Sequence, residues 1–402
     1  MAPGFEEVRA QFEENFAGRG EVGAAVAAFH RGAKVVDLWG GIRDPRRGDP
    51  WTRDTLVLVY STSKGLAAMT LALAHSRGWL DYDERVVAYW PEFAQHGKDR
   101  VTVRQLLAHQ AGLPVVDEPL DHRHLADFDR LAATIAGQAP AWEPGTRHGY
   151  HGLSLGWYEG ELIRRVDPRH RTLGRFFAEE IAAPLGLEFY FGLPDDIPAE
   201  RLAPIQASRT LRTLLQLRNL PRGMVLGFAR RSSLTARAFS NPKLRGPADL
   251  DSPRYRAVEF PAGGGIGQVS SIACAYGSFA SGGSELGLVA GTLDELRRPP
   301  VAPSRGDHDL VLRVPTAYSL GFVKPSRDFR FGSGPSAFGH PGAGGSFAFA
   351  DPERQVGFAY APNRLGYHLH NDPREKALRD ALYRCLDRVE APEAVGGRRS
   401  LA

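Results

Sequence analysis

The chain sets a lysine at the head of an apolar helix, and that placement limits how it can fold. Leu56-Val57-Leu58-Val59-Tyr60 is a short apolar, β-branched run that reads as buried chain. Gly65 to Ala74, rich in Ala and Leu, reads as a buried helix. Between them stand Ser61, Thr62, Ser63 and Lys64. Ser61 therefore falls at a helix start, where unpaired N–H groups and the positive end of the dipole favour a developing alkoxide. Lys64, three residues on, projects from the same face one turn away. Burial disfavours its charged form, lowers its pKa and fits it to accept a proton. The plainer alternative is an N-capping serine beside a lysine that snorkels to solvent. A second Ser-x-x-Lys, Ser240 to Lys243, contains Pro242 in irregular surroundings and reads as surface loop.

Two further stretches carry chemistry-bearing residues. Trp142-Glu143-Pro144-Gly145-Thr146-Arg147-His148-Gly149-Tyr150-His151 brings Tyr150 after a Pro-Gly turn. Gly339-His340-Pro341-Gly342-Ala343-Gly344-Gly345-Ser346-Phe347 opens a strand over 347–350, with a turn at Asp351-Pro352-Glu353-Arg354 and a partner strand at 355–361.

With these three landmarks in order, the chain resembles the serine β-lactamase and penicillin-binding-protein superfamily, most closely its class C-like branch of family VIII carboxylesterases. The resemblance implies an α+β fold, an antiparallel sheet flanked by helices plus a mostly helical lobe. It implies a serine hydrolase that cleaves small or medium carboxylic esters through a Ser61 acyl-enzyme, with Lys64 and Tyr150 carrying protons. The backbone N–H groups of Ser61 and Ala343 would form the oxyanion hole. His340, Gly342 and Gly152 would border the substrate, the glycines admitting its carbonyl close to the backbone. No metal or other cofactor is implied. An acyltransferase with an alcohol or amine acceptor, a weak β-lactamase or peptidase, and a non-catalytic binding protein are the alternatives.

The departures from the pattern also inform. Where β-lactamases of this kind carry an asparagine after the tyrosine, this chain has Gly152, and His340 replaces the lysine of Lys-Thr-Gly. A histidine is only partly charged near neutral pH. Both changes argue for esters that lack a fixed carboxylate. In the segment 100–114, Thr102 reads as an N-cap, Gly112 as the residue that ends the helix, and His109 as a satisfied core histidine. Gly152-Leu153-Ser154-Leu155-Gly156 spells the nucleophile elbow of α/β-hydrolases, but a Pro-Gly turn replaces the strand that such an elbow needs. Ser154 is therefore read as a decoy.

Composition bounds the rest. With 43% hydrophobic residues, 402 positions can bury a large core in two lobes. The expected division is 1–70 with 256–402 as an α/β lobe, and 71–255 as a helical lobe. No apolar run is long enough for a membrane span. The start lacks a secretory pattern, and Cys274 and Cys385 sit in apolar segments, so the expectation is a cytoplasmic protein with free, buried thiols. Its partner is a small-molecule ester rather than nucleic acid, and its oligomeric state is left open. A first helix is expected at 5–18, a hairpin at 23–30 and 34–41, a tight turn at Pro261 to Ile266, a strand at 317–323, a closing helix at 372–388 and a loose tail around Gly396 to Arg399. One charge feature stands apart: from Arg201 to Pro247 there is no acid, yet ten cations interleave with leucines. This insertion, at about 201–247, either packs its leucines and solvates its arginines, or forms a flap over the site for acidic or amphiphilic substrates, or meets nucleic acid or an anionic membrane.

Overall fold

The computed structural model describes residues 1–207 and 217–391. Part of the basic segment (Arg209, Leu211, Arg212, Leu214, Leu215) and the tail at Gly396 to Arg399 lie outside the described residues. In chain order the elements that frame the molecule begin with helix α1 (Glu6–Ala17) and strands β1 (Gly23–His30), β2 (Ala33–Asp44), β3 (Asp49–Pro50) and β4 (Leu56–Leu58). Helices α2 (Ser63–Ser76), α3 (Val103–Leu107) and α4 (Leu155–Val166) follow, then β5 (Phe189–Tyr190), β6 (Leu202–Ala203) and α5 (Arg222–Ala229). The chain continues through β7 (Ile266–Gly267), α6 (Val269–Ala280), α7 (Ala290–Arg297), β8 (Tyr318–Ser319) and β9 (Phe322–Val323). It closes with β10 (Phe338–Pro341), β11 (Phe347–Asp351), β12 (Val356–Pro362) and α8 (Pro373–Glu390).

Eight strands form one antiparallel sheet in the order β3-β2-β1-β12-β11-β10-β9-β8. The two ends of the chain thus meet at its centre, where β1 pairs with β12 from Ala24 opposite Pro362 to His30 opposite Val356. The expected antiparallel α+β architecture is present. Side-chain size alternates across this sheet with the period of two that a pleated strand imposes. Val26, Phe347, Phe349, Phe358 and Tyr360 face α1 and α8, packing on Phe5, Val8, Phe12, Leu378 and Leu382. Each such ring taken from water stabilises the fold by roughly 2–3 kcal/mol. The opposite face is lined by Ala27, Ala348, Ala359 and Ala361. There α6 approaches so closely that a Cβ on Gly357 would strike the backbone of Gly277. Small residues that blur the alternation of β1 are therefore the condition for seating α6 on the sheet.

A second sheet, β5-β7-β4-β6, is short and lies beside the first turn of α2. Leu56 and Val57 run parallel to Leu202 and Ala203, while Val57 and Leu58 pair antiparallel with Gly267 and Ile266. Among the described residues no helix is long and apolar enough to cross a membrane.

Several local expectations change. The single strand expected at 317–323 is a tight hairpin, β8 and β9, turning at Leu320 and Gly321, both with positive φ. The glycine-rich landmark does not merely open β11; Phe338–Pro341 is itself a strand, paired to β11 across the Gly342–Ser346 turn. Thr102 caps α3 in a capping box with Gln105, as expected, but that helix ends at Leu107. His109 rather than Gly112 takes the first left-handed conformation after it, and Gly112, with φ +78°, serves the next turn. Cys274 is half-buried rather than buried, whereas Cys385 is enclosed.

Candidate active site

The turn that carries Ser61 is made by a backbone that departs from strand geometry at one residue. Tyr60 has φ +49°, a conformation costly for a residue with a Cβ, and the chain passes from β4 through a 3-10 turn over Tyr60–Thr62 into α2. Four hydrogen bonds hold the turn. The Ser63 hydroxyl donates to the Tyr60 carbonyl and accepts the Gly265 N–H at 3.0 Å. Thr62 Oγ1 donates to Ser346 Oγ at 3.1 Å, and Ser346 donates onward to the Val59 carbonyl at 2.8 Å. Ser61 is thereby fixed against the β10–β11 hairpin.

Lys64 is 0% exposed, and its amine is held by three partners. Nζ donates to the carbonyls of Gly152 and Ala262, each at 2.7 Å, and lies 3.3 Å from Ser61 Oγ. Burial pushes its pKa down to about 7, and the buried carboxyl of Glu159 opposes that shift. A neutral amine has two N–H groups and one lone pair. The two carbonyls take the former, which leaves the lone pair for the Ser61 hydroxyl proton. After the transfer, the third ammonium hydrogen points back at Ser61 Oγ. One geometry serves both protonation states.

Tyr150 lies across the lysine, with Nζ 4.8 Å from its ring centroid, and its hydroxyl meets the Ser61 side chain. Burial raises the phenol well above its ordinary value, and the hydrogen bond with Ser61 only partly offsets that. Tyr150 is a neutral phenol at neutral pH, so it can give a proton before it can take one. Burial drives the two groups in opposite directions, Lys64 down and Tyr150 up.

The glycine-rich hairpin separates its members. Ala343 is exposed in the turn, and among the described residues no acceptor takes its N–H. Gly342, by contrast, spends its N–H on the Ser346 carbonyl at 2.7 Å. A Cβ there would strike Val59, Thr62 and Ser346, so close packing of the hairpin on the Ser61 turn requires glycine. His340 is 2% exposed and donates Nδ1–H to the Pro341 carbonyl at 2.8 Å. Its ring stacks on Tyr150 at 5.9 Å between centroids, with Nε2 unpartnered. Burial lowers its pKa to about 3, with the Lys64 charge assisting. It is therefore neutral, where the sequence suggested partial charge.

Gly152 gives its carbonyl to Lys64 and leaves room for a ring. A Cβ on it would lie 2.5 Å from Cε1 of Phe239, whose ring stands tilted by 44° against Tyr150 at 6.3 Å between centroids. The space where an asparagine side chain was missed is occupied by Phe239, delivered by the basic insertion. His109, as expected, sits in the core. Its Nδ1 accepts the His151 N–H at 3.0 Å, and burial holds it well below its ordinary pKa. It is not fully satisfied, because Nε2 has no partner. Ser154 is 1% exposed and commits its hydroxyl to the Leu113 carbonyl at 2.7 Å.

Three contributors escaped sequence reasoning. Ala262 belongs to a turn recognised only as bordering the cleft. Phe239 comes from a segment read for its charges. Glu159 is fully enclosed in α4 with neither carboxyl oxygen hydrogen-bonded, and burial lifts its pKa to about 8 against the pull of Lys64. Its signal was available: it shares the apolar phase of α4 with Leu155 and Leu162.

Comparison with known proteins adds independent findings. The profile of the Beta-lactamase family matches residues 8–383. Esterase/beta-lactamase LipL of Mycobacterium tuberculosis (strain ATCC 25618 / H37Rv) is 32% identical over 380 residues, covering 90% of this chain and 82% of that protein. The crystal structure of a family VIII carboxylesterase superposes with a TM-score of 0.83 at 38% identity, over 96% of this chain and 98% of that one. A penicillin-binding-protein homologue from Caulobacter crescentus does so with the same TM-score at 36% identity, over 96% and 98% of the two chains.

Proposed function

The chain belongs to the Beta-lactamase family, and from that premise we propose that it is a carboxylesterase-type serine hydrolase acting through an acyl-enzyme on Ser61. The observation that carries this reading is the lysine held by two carbonyls and a serine hydroxyl. In the resting state Lys64 is the free amine for a large fraction of molecules at neutral pH. It takes the Ser61 proton as Oγ attacks the ester carbonyl. The tetrahedral oxyanion is received by the backbone N–H groups of Ser61 and Ala343. Tyr150, a neutral phenol facing Ser61, protonates the departing alcohol and is reprotonated from the Lys64 ammonium. Water then enters along the path of the alcohol, loses its proton through the same pair, and releases the acid.

Substrate class follows from what surrounds these groups. Phe239 fills the place of a side-chain amide, and His340 is neutral and enclosed. Neither offers a fixed partner to a carboxylate, which favours simple carboxylic esters over β-lactams. Labelling with a fluorophosphonate, read by intact mass alongside p-nitrophenyl butyrate turnover, tests the assignment. Label and turnover should vanish in Ser61→Ala and persist in Ser154→Ala; the reverse pattern overturns it.

A further inference from the structure

The basic insertion reaches the site through a continuous line of rings. Phe239 stands against Tyr150 and over Gly152, and Phe228 follows at 5.5 Å from Phe239. Phe228 then emerges on α5 with 42% of its surface exposed, whereas Leu226, two residues away and 71% exposed, turns to another side of the helix. The helix is anchored from beneath, where Met224 is buried with Tyr150, Val311, Leu312 and Tyr318. An exposed apolar line that begins at a nucleophile and is held by the same core as Tyr150 differs from scattered surface leucines.

Charge makes the surroundings of that line specific. Arg230 and Arg231 follow Phe228 directly, where the chain leaves α5, so both stand near the exposed end of the line. Arg237 pairs with Asp117 and Arg245 with Asp249, but among the described residues no carboxylate pairs with Arg218, Arg222, Arg230 or Arg231. The sequence from 202 to 248 itself supplies no acid to offset these cations.

We propose that the substrates are anionic amphiphiles. The ester sits at Ser61, its long apolar arm runs outward over Phe239 to Phe228, and a negative group at its far end meets Arg230 and Arg231. This deepens the esterase reading and rests on it, since only the non-reacting part of the substrate is new. Burying several methylenes against the rings supplies binding, and the guanidinium groups select the sign of the head.

Two measurements test it, both on the full chain below micelle-forming concentrations. The first is the ratio of kcat/KM for p-nitrophenyl decanoate to that for p-nitrophenyl butyrate. It should favour decanoate in the wild type and fall about tenfold in a Phe228→Ser variant. An unmoved ratio, including loss of both activities in proportion, overturns the apolar track. The second compares inhibition of butyrate hydrolysis by decyl sulfate and by decyl maltoside. Decyl sulfate should inhibit at lower concentration, and Arg230→Gln with Arg231→Gln should erase that preference. Equal inhibition of the wild type by the two overturns the anionic head. Failure of the underlying reading looks different: the wild type would not turn over butyrate, or Ser61→Ala would retain turnover.

Discussion

Lys64 and Lys324 are both enclosed, at 0% and 1% exposure, and burial drives both down to about 7. Both also donate to backbone carbonyls. Lys324 reaches those of Leu296 at 2.8 Å, Ser336 at 3.1 Å and Arg297 at 3.4 Å, closing the C-terminal end of α7. The difference is the third partner. At Lys64 it is a hydroxyl, which has a proton to give; at Lys324 it is another carbonyl, which can only accept. Removing a proton from Lys324 would turn a lone pair toward a carbonyl oxygen, so its cage favours the ammonium. A depressed lysine becomes a base through the company it keeps, and burial alone does not make it one.

The contrast can be broken at several points. Replacing Lys64 with Met should cut kcat/KM by about 10^4-fold, the upper range for a positioned general base, in steady-state assays with p-nitrophenyl butyrate. Loss of less than tenfold would mean that the hydroxyl proton leaves by another route. Gly152→Ala keeps the carbonyl that anchors Lys64 but pushes Phe239 against Tyr150. A misplacement of that size should lower kcat/KM by about 10^2-fold; activity should return when Phe239→Ala is added.

The pH profile sharpens the same comparison. Because Lys64 acts as the free amine, kcat/KM should rise with pH through about 7 as its proton leaves. Glu159 raises the Lys64 pKa, so Glu159→Gln should move this limb to lower pH. A limb that stays in place would remove Glu159 from the electrostatics of the site. Smallest of all on activity is Lys324→Met, whose kcat/KM per folded molecule should stay within about twofold of wild type with the limb unmoved. Its cost should appear as about 2–3 kcal/mol of stability in urea denaturation, since the carbonyls it leaves lose their donor.

These cases also mark what a sequence can carry. That Ser61, Lys64 and Tyr150 come together was legible because local order puts each at a turn or helix start. The closing helix, the first hairpin and the capping of α3 at Thr102 were legible for the same reason. The place of Gly112 was misread because a histidine accepted a left-handed conformation that a glycine more easily takes. The hairpin at 318–323 was hidden in an apolar run, its turn marked only by Leu320 and Gly321. Ala262 and Phe239 could not be found by pattern, because their roles depend on which distant segments the fold brings beside Lys64 and Gly152. The charges of the insertion were plain; that its aromatic residues stand on Tyr150 was not.

The strap from Thr62 to Ser346 joins residues 284 positions apart. A growing chain would display its serine and lysine long before the hairpin bearing Ala343 exists. The central strand β1 would likewise wait for β12, exposing an unpaired edge for most of synthesis. Such long-range closure slows folding and lengthens exposure to aggregation. In the proposed mechanism, a prematurely terminated product lacking the last strands would carry Ser61, Lys64 and Tyr150 but not the Ala343 N–H that is to receive the oxyanion.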